Sequence, residues 1–515
     1  MTPPSTATPP SRRWLWCAIG LTAVIGGLGA AELVAALIAP AASPLLVVGA
    51  LVIDLVPGWV KDAVIALFGT ADKLVLLITL GVLVAIVAAF AGLLERARRP
   101  WGGALIAVVG LMGIVAAVTR ANAGQLAALP SLIAIVVGML VLRMLARRLD
   151  RAGEAPATSE SRRAFLVAAS ASAGLGVIAI VAGRALTAGQ RATQTVRTAF
   201  KLPAAASPAS ALSPSTAFEV SGLSPLVTPN REFYRIDTAL QVPVVDPKEW
   251  KLEIVGMVDE EVSITFDELA ALPLEESYTT LACVSNYVGG ELIGNAKWLG
   301  YPIRELLKRA GPHPKADMVL STSVDGFTAG TPLSVLTDDR NAILALGMNG
   351  QPLPFEHGYP VRMVVPGLYG YVSATKWVNR LEVTTFSQHS AYWTERGWSE
   401  RGPVKLSSRI DVPRDGGGPV KAGTATVAGV AWAQHTGISA VQVRVDDGPW
   451  NDAELADAIS ADTWRQWKWD WPARAGHHVL TVRATDANGT VQTAKVADVV
   501  PDGATGLHSV DVTVS

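Results

Sequence analysis

The stretch Tyr278-Thr-Thr-Leu-Ala-Cys283-Val-Ser-Asn-Tyr287 decides how the second half of this chain is read, because it carries one of only two cysteines in 515 residues. The other, Cys17, lies in an apolar segment near the N-terminus. Cys283 therefore has no partner thiol in its own half, which excludes a zinc ribbon, a cysteine-ligated iron-sulfur cluster and a disulfide scaffold. Two readings of a solitary cysteine stand at this point. It is a small buried hydrophobe, or it is a soft thiolate on a metal, which explains its solitude and shields it from oxidation. In the second case the remaining ligands have to arrive with a carried-in group.

The sequence upstream is of another kind. Half of all residues are hydrophobic, 17% are charged, and the mean hydropathy is +0.34, a balance that points to membrane segments. The net charge of -1 gives no reason to expect nucleic acid as a partner. Residues 1–183 read as a membrane region with five spans, at about 14–39, 74–94, 102–118, 126–142 and 164–182. Arg12 and Arg13, then Arg96, Arg98 and Arg99, then Arg143, Arg147, Arg148, Arg151, Arg162 and Arg163 alternate with loops holding only Lys61, Lys73 and Arg120. The positive-inside rule then puts the N-terminus in the cytoplasm and everything after about Arg184 outside. Leu45 to Val56 is also apolar, but it is short, carries Asp54 and ends at Pro57-Gly58, so it reads as an interfacial or re-entrant piece.

The fifth span opens with Ser161-Arg162-Arg163-Ala164-Phe165-Leu166, which reads either as an ordinary basic flank or as a twin-arginine export signal ahead of a weakly hydrophobic segment. That route carries folded proteins and so implies a cofactor inserted before export. All seven histidines, from His313 to His508, follow the membrane region, so no bis-histidine haem is expected between its helices. Glu32, inside the first span, reads as a polar helix contact or a proton-relay group.

Residues 184–215, rich in Ala, Ser, Thr and Pro, read as a flexible linker. Over 216–390 short β-branched runs alternate with helix-like pieces, predicting an α+β domain. Over 391–515 the pattern turns all-β: Val441, Val443 and Val445 alternate before Asp446-Asp447-Gly448, and Trp467, Trp469 and Trp471 repeat the period. Short strands and turns over this length favour an immunoglobulin-like sandwich.

Around Cys283 further pieces follow in order: Thr228-Pro-Asn-Arg-Glu-Phe-Tyr-Arg235, Trp298-Leu-Gly300, Met348-Asn-Gly-Gln-Pro-Leu-Pro354, His357-Gly-Tyr-Pro-Val-Arg362, Val365-Pro-Gly-Leu-Tyr-Gly370 and Lys376-Trp377. From about Leu223 onward this order resembles the sulfite oxidase family of molybdopterin oxidoreductases, which includes periplasmic methionine sulfoxide reductase catalytic subunits. The resemblance implies that Cys283 is the protein thiolate on molybdenum and that the pterin dithiolene supplies further ligands. It implies that His357, Arg362 and Lys376 hold the phosphate and pterin, with Asp325 and Ser373 as further cofactor contacts. It makes Arg235 and Tyr369 pocket-lining catalytic candidates. Taken singly, each is equally readable as an ion pair, a turn residue or core. The last domain resembles that family's dimerisation domain, which implies a homodimer. Two departures stand out. Val284-Ser-Asn-Tyr-Val-Gly-Gly290 lacks the arginine pair with which sulfite oxidases grip a tetrahedral oxyanion, which argues against sulfite. The run from Pro366 to Lys376 is also one residue longer than the family's spacing, which loosens Ser373 and Lys376 as contacts.

The chain is thus expected to be a membrane-anchored molybdenum oxidoreductase carrying out two-electron oxygen-atom transfer on a small substrate outside the cytoplasmic membrane. Its electrons are expected to pass through an external carrier, a c-type cytochrome or a quinol-linked membrane protein, because the chain has no haem or iron-sulfur ligation of its own. The competing expectations are a sulfite oxidase proper and a non-enzymatic surface protein with a degenerate cofactor domain.

Overall fold

The computed structural model describes residues 13–38, 42–57, 72–120, 125–154, 159–187, 196–239 and 241–515, with isolated positions between 58 and 71. The chain divides into two compact units, one from Met1–Ala192 and one from Thr193–Thr238 with Val242–Ser515, the short piece Ala239–Gln241 grouping with the first.

Among the described residues of the first unit, four helices are long and apolar enough to cross a membrane: Arg13–Ile38, Val75–Ala97, Trp101–Val118 and Leu129–Arg151. Their outward faces carry Ile78, Val82, Leu83, Phe90, Leu111, Met112 and Val115, all exposed, a surface consistent with a lipid environment. Small residues let the backbones approach: Gly20 faces Ala88 and Gly92, Gly27 faces Gly138, and Gly29 faces Gly176. The fifth expected span falls in the helix Ser159–Thr187, whose described apolar stretch, Val167–Ala182, is shorter than the other four. Pro44–Leu55 is a helix of 12 residues, about 18 Å long and too short to span. Buried Glu32 accepts a hydrogen bond from the Ser43 hydroxyl at 2.7 Å, a polar contact within the bundle.

In the second unit, two sheets build the α+β domain. One has the order β2 (Val262–Thr265), β1 (Lys251–Gly256), β10 (Val378–Thr384), β5 (Met318–Ser323), β6 (Thr328–Pro332), with only the β1–β10 pair parallel. The other runs β3 (Glu275–Ala282), β4 (Ile293–Pro302), β7 (Ile343–Met348), β8 (Gln351–Pro352), with β9 (Arg362–Val364) on β7. The helix Ile303–Ala310 follows β4 because Ile303, Leu306, Leu307 and Ala310 recur on one face and are buried. Glu305 in its first turn and Lys308 and Arg309 in its last suit the helix dipole, and Gly311 at φ 66 ends it.

Two sequence boundaries move. Residues 196–215, expected within a flexible linker, lie along this domain. Arg197 donates to the carbonyls of Leu353 and Pro352 at 2.7 and 3.0 Å, and Ser207 pairs with Glu275. Phe200, Leu202, Ala205 and Leu212 pack on the core, which is why a segment of linker-like composition is fixed. Residues 188–195 lie outside the described residues. The stretch 391–404, expected in the sandwich, also belongs to the α+β domain: Val404 N–H donates to Gly367 O, and Trp398 is in its core.

The C-terminal domain is a two-sheet sandwich. One sheet is β11 (Ser407–Val412), β12 (Gly423–Trp432), β16 (Arg465–Ala473), β15 (Glu454–Leu455); the other is β14 (Trp450–Asp452), β13 (Ile438–Val445), β17 (Gly476–Asp486), β18 (His508–Val514). Trp467 and Trp471 from the first sheet and Val441, Val443, Leu480 and Val482 from the second share one core. The sandwich also grips the strand that leads into Cys283. Trp464 N–H donates to Thr280 Oγ1 at 2.8 Å, and its indole donates to Leu226 O at 2.9 Å. Gly289, at φ 78, lies directly against the His508 ring.

Candidate cofactor-binding site

Cys283 is the first residue beyond β3. The turn that follows it is closed by Asn286, whose N–H donates to Cys283 O at 3.1 Å while its Oδ1 accepts Leu292 N–H at 2.8 Å. Cys283 N–H donates to Leu292 O at 2.9 Å, so both backbone ends of the turn are fixed. The thiol is buried at the wall of a cavity of about 870 Å³, part of it open to solvent, lined entirely by the second unit. Burial pushes its pKa up, while hydrogen bonds from the Ser285 backbone and side chain work against that rise. A bare thiolate is therefore disfavoured there, and a bound cation is what would make one stable.

Arg362, first residue of β9, is buried in the same cavity. Its guanidinium donates to three carbonyls, of His357 at 3.2 Å, Met363 at 3.3 Å and Ala374 at 3.4 Å, and stacks 5.1 Å from the Trp298 ring. No carboxylate within ion-pair reach balances it among the described residues. Burial brings its pKa down to about 10, with Tyr234 opposing, and it remains a cation at neutral pH. Desolvating such a charge costs several kcal/mol, by order of magnitude, unless an anion arrives to meet it.

His357 closes a short 3-10 turn, Phe355–His357, ended by Gly358 at φ 110. Burial drives its pKa down to about 4, more than the Asn230 carbonyl raises it. Nε2 is 2.9 Å from that carbonyl, so the neutral ring donates from Nε2 and leaves Nδ1 as an acceptor. Lys376 is buried and donates to Asp237 Oδ2 at 2.7 Å and to Glu356 O at 3.1 Å. Desolvation lowers its pKa to about 8 despite Asp237. The next residue, Trp377, holds φ at 51, a strained value for a bulky side chain, and donates its indole N–H to Phe355 O at 3.0 Å.

The fold thus gathers Cys283, Asp325, His357, Arg362 and Lys376 around one cavity. Three other sequence candidates do not line it. Arg235 is half-exposed and donates to Asp237 Oδ2 at 2.9 Å, bracing Lys376 through a shared carboxylate. Ser373 Oγ turns back to Tyr369 O at 2.9 Å and fastens its own loop. The Tyr369 hydroxyl accepts the Lys405 N–H at 3.4 Å and faces Gly503, although burial and the nearby Cys283 raise its pKa to about 12. Residues that sequence reasoning missed also line the cavity: Tyr234, Asp237, Tyr371, Trp393 and Trp398. Tyr234 is partly buried, and its pKa is pushed far up by burial and then by Cys283, with Arg362 opposing. It was findable, since it precedes Arg235 in the quoted motif.

The donor set fits a molybdenum cofactor. It offers one buried thiol for the metal and an unbalanced guanidinium for a phosphate. Among the described residues no group of three or more His, Cys, Asp or Glu side chains converges on a metal site.

Comparison with known proteins agrees. Residues 239–393 match the oxidoreductase molybdopterin binding domain. The chain is 30% identical over 323 residues to the mitochondrial sulfite oxidases of Homo sapiens and Mus musculus, covering 53% of this chain and 58% of theirs. It is 32% identical over 165 residues to the uncharacterized oxidoreductase YuiH of Bacillus subtilis, covering 80% of that protein. Among solved structures, the sulfane dehydrogenase SoxCD of Paracoccus pantotrophus superposes with a TM-score of 0.50 at 22% identity, over 59% of this chain and 88% of that one, a likeness of fold. The chain belongs to the sulfite oxidase family of molybdopterin-dependent oxidoreductases. It spans 58% of the length of the curated sulfite oxidases it matches.

Proposed function

We propose that this chain is a membrane-anchored molybdenum-cofactor oxidoreductase that transfers an oxygen atom, with two electrons, to or from a small substrate on the extracytoplasmic face. The observation that carries this reading is the juxtaposition of a buried, solitary thiol and a buried, uncompensated guanidinium in one cavity. When bound, the cofactor supplies the redox chemistry of oxygen-atom transfer. Cys283 anchors the metal, and Arg362 and Lys376 hold the phosphate end as charge-assisted donors. His357, neutral and fixed by the Asn230 carbonyl, would have Nδ1 left to accept a hydrogen bond from the cofactor, and Asp325 would be a further contact. Tyr234, kept protonated by burial, stands near both Cys283 and Arg362 and offers its hydroxyl as a donor at the reacting end.

The basic flanks of the apolar helices and the Arg162-Arg163 pair support an N-terminus inside and the second unit outside. The helix Ser159–Thr187 then serves as the fifth span and as an uncleaved twin-arginine signal. Electrons pass through an external carrier, a c-type cytochrome or a quinol-linked membrane protein. The sandwich is read as an immunoglobulin-like module that also serves self-association. The test is elemental analysis of the full chain made in a cofactor-competent host. About one molybdenum per chain, an active wild type and a folded, inactive Cys283→Ser variant are expected. Wild type without molybdenum, or a fully active serine variant, overturns the reading.

A further inference from the structure

The segment that follows the helix Ser159–Thr187 in the chain reaches back to the cofactor cradle. Arg197 is half-buried, and its guanidinium donates from Nε to Leu353 O at 2.7 Å and from Nη2 to Pro352 O at 3.0 Å, while its charge lies 5.9 Å from the Phe355 ring. All three partners belong to the run Pro352-Leu-Pro-Phe-Glu-His357, which ends in the histidine that lines the cavity. Pro352 and Pro354 have no N–H, so this run has few donors with which to fix itself. Its carbonyls are held instead. Glu356 O accepts from the Lys376 ammonium at 3.1 Å, Phe355 O from the Trp377 indole at 3.0 Å, and Pro354 O from the His357 N–H at 3.0 Å. The Leu353 and Pro352 carbonyls are the two that Arg197 takes. Lys376 and Trp377 thus fix one end of the run and Arg197 the other, with a planar fork that sets direction as well as distance.

The same segment also runs beside the start of β3, the strand that leads into Cys283. Ala206 N–H donates to Leu274 O at 2.8 Å, Glu276 N–H donates to Ser207 O at 2.8 Å, and Ser207 pairs with Glu275. One continuous piece of chain therefore holds the base of the turn that carries His357 and the base of the strand that leads to Cys283.

We infer that Arg197 is a positioning residue for the cofactor, fixing the base of the turn that presents His357, so that the segment joining the membrane helices to the redox domain is itself part of the cradle. The assignment rests on the molybdenum reading above. Arg197 does not line the cavity, so it acts through the turn. Without its fork the Pro352 and Leu353 carbonyls lose their charged donor, the turn Phe355–His357 is held chiefly at its Lys376 and Trp377 end, and the His357 ring loses its fixed direction. Phe200, further along the same segment, is the contrasting case. It packs on Phe266 at 5.0 Å between ring centroids and against the domain core, so its loss should cost stability while the fork on the turn stays in place.

The test uses the full chain from a cofactor-competent host, with molybdenum and pterin per chain measured first and then followed through prolonged dialysis. Arg197→Met keeps the apolar stem and removes the fork. Its rate of cofactor release is expected to rise about tenfold, the scale of one lost charge-assisted hydrogen bond. Arg197→Lys, a point charge without the fork, should fall between the two. Hydrogen exchange in chain made without the cofactor gives a second readout. The His357 and Gly358 amides, which close the turn, should lose protection in Arg197→Met while the strand Gly476–Asp486 stays protected. Phe200→Leu should lower the thermal midpoint and leave both the release rate and the exchange of the turn at their wild-type values. Wild-type release and exchange in Arg197→Met overturns the inference and leaves the molybdenum reading standing. Equally fast release from Phe200→Leu also overturns it, since any loss of stability would then suffice, and a wild-type chain without molybdenum removes both readings.

Discussion

Arg409, on the first strand of the sandwich, donates from Nη1 to the carbonyl of Gly290 at 2.7 Å, and Gly290 closes the loop that begins at Cys283. The same guanidinium donates to Asp411 at 2.6 Å and to the Ser224 hydroxyl at 2.8 Å, and both charged side chains are nearly fully buried. Arg409→Ala strands Asp411 without its partner, so its expected cost is roughly 3–5 kcal/mol of stability, seen as a lower thermal midpoint. Arg409→Met combined with Asp411→Leu should recover much of that midpoint but not kcat, because the Cys283 loop loses its hold at Gly290. Full activity in the double variant would show that the loop needs no such anchor.

Arg362 gives a second expectation. Arg362→Leu should retain the fold, since it removes a buried charge that no carboxylate balances, and should lose most pterin and molybdenum. Arg362→Lys should bind at an intermediate level, lacking the fork. Both are read by cofactor content after gel filtration, and full loading of the leucine variant would count against a phosphate role.

Acid should destabilise the protein through His357. Its folded pKa, about 4, lies below its ordinary value of 6.5 because of burial. The stability held by the neutral ring is complete above the unfolded value and is lost as pH falls through the folded one. The window is about pH 6.5 to 4, and the contribution is on the order of 3 kcal/mol. His357→Gln should flatten the fall in thermal midpoint across that window, and an unchanged slope would place the acid sensitivity elsewhere.

The export reading is tested by Arg162→Lys with Arg163→Lys. A twin-arginine route should fail, leaving the second unit protected from external protease in intact cells while the charge count is kept. Normal exposure of that unit would assign the pair to topology alone.

Much of this was legible in the sequence. The helix Ile303–Ala310 and the strand Met318–Ser323 lie in the stretch whose pattern predicts an α+β domain, and the tryptophan alternation over 467–471 marks a strand with its inner face buried. Cys283, His357 and Arg362 could be picked out because their chemistry is unusual and their motifs are local. The strand Glu275–Ala282 was hidden, since it opens with two acids and owes its burial to β4 and the sandwich. Trp393 and Trp398 were missed for a related reason. They reach the cavity through a segment that composition had assigned to the next domain, and only tertiary packing brings them to the cavity that Cys283 also lines. The stretch 196–215 misled because alanine and proline suit a bound extended strap as well as a free linker.

Gly289 carries a constraint of its own. A side chain at this position would have to occupy space that the His508 ring already fills, and the backbone there, at φ 78, favours glycine. Evolution can therefore vary the sandwich and the redox domain only in step at this seam. In a saturation library, position 289 should score as intolerant as Cys283, though it does not line the cavity.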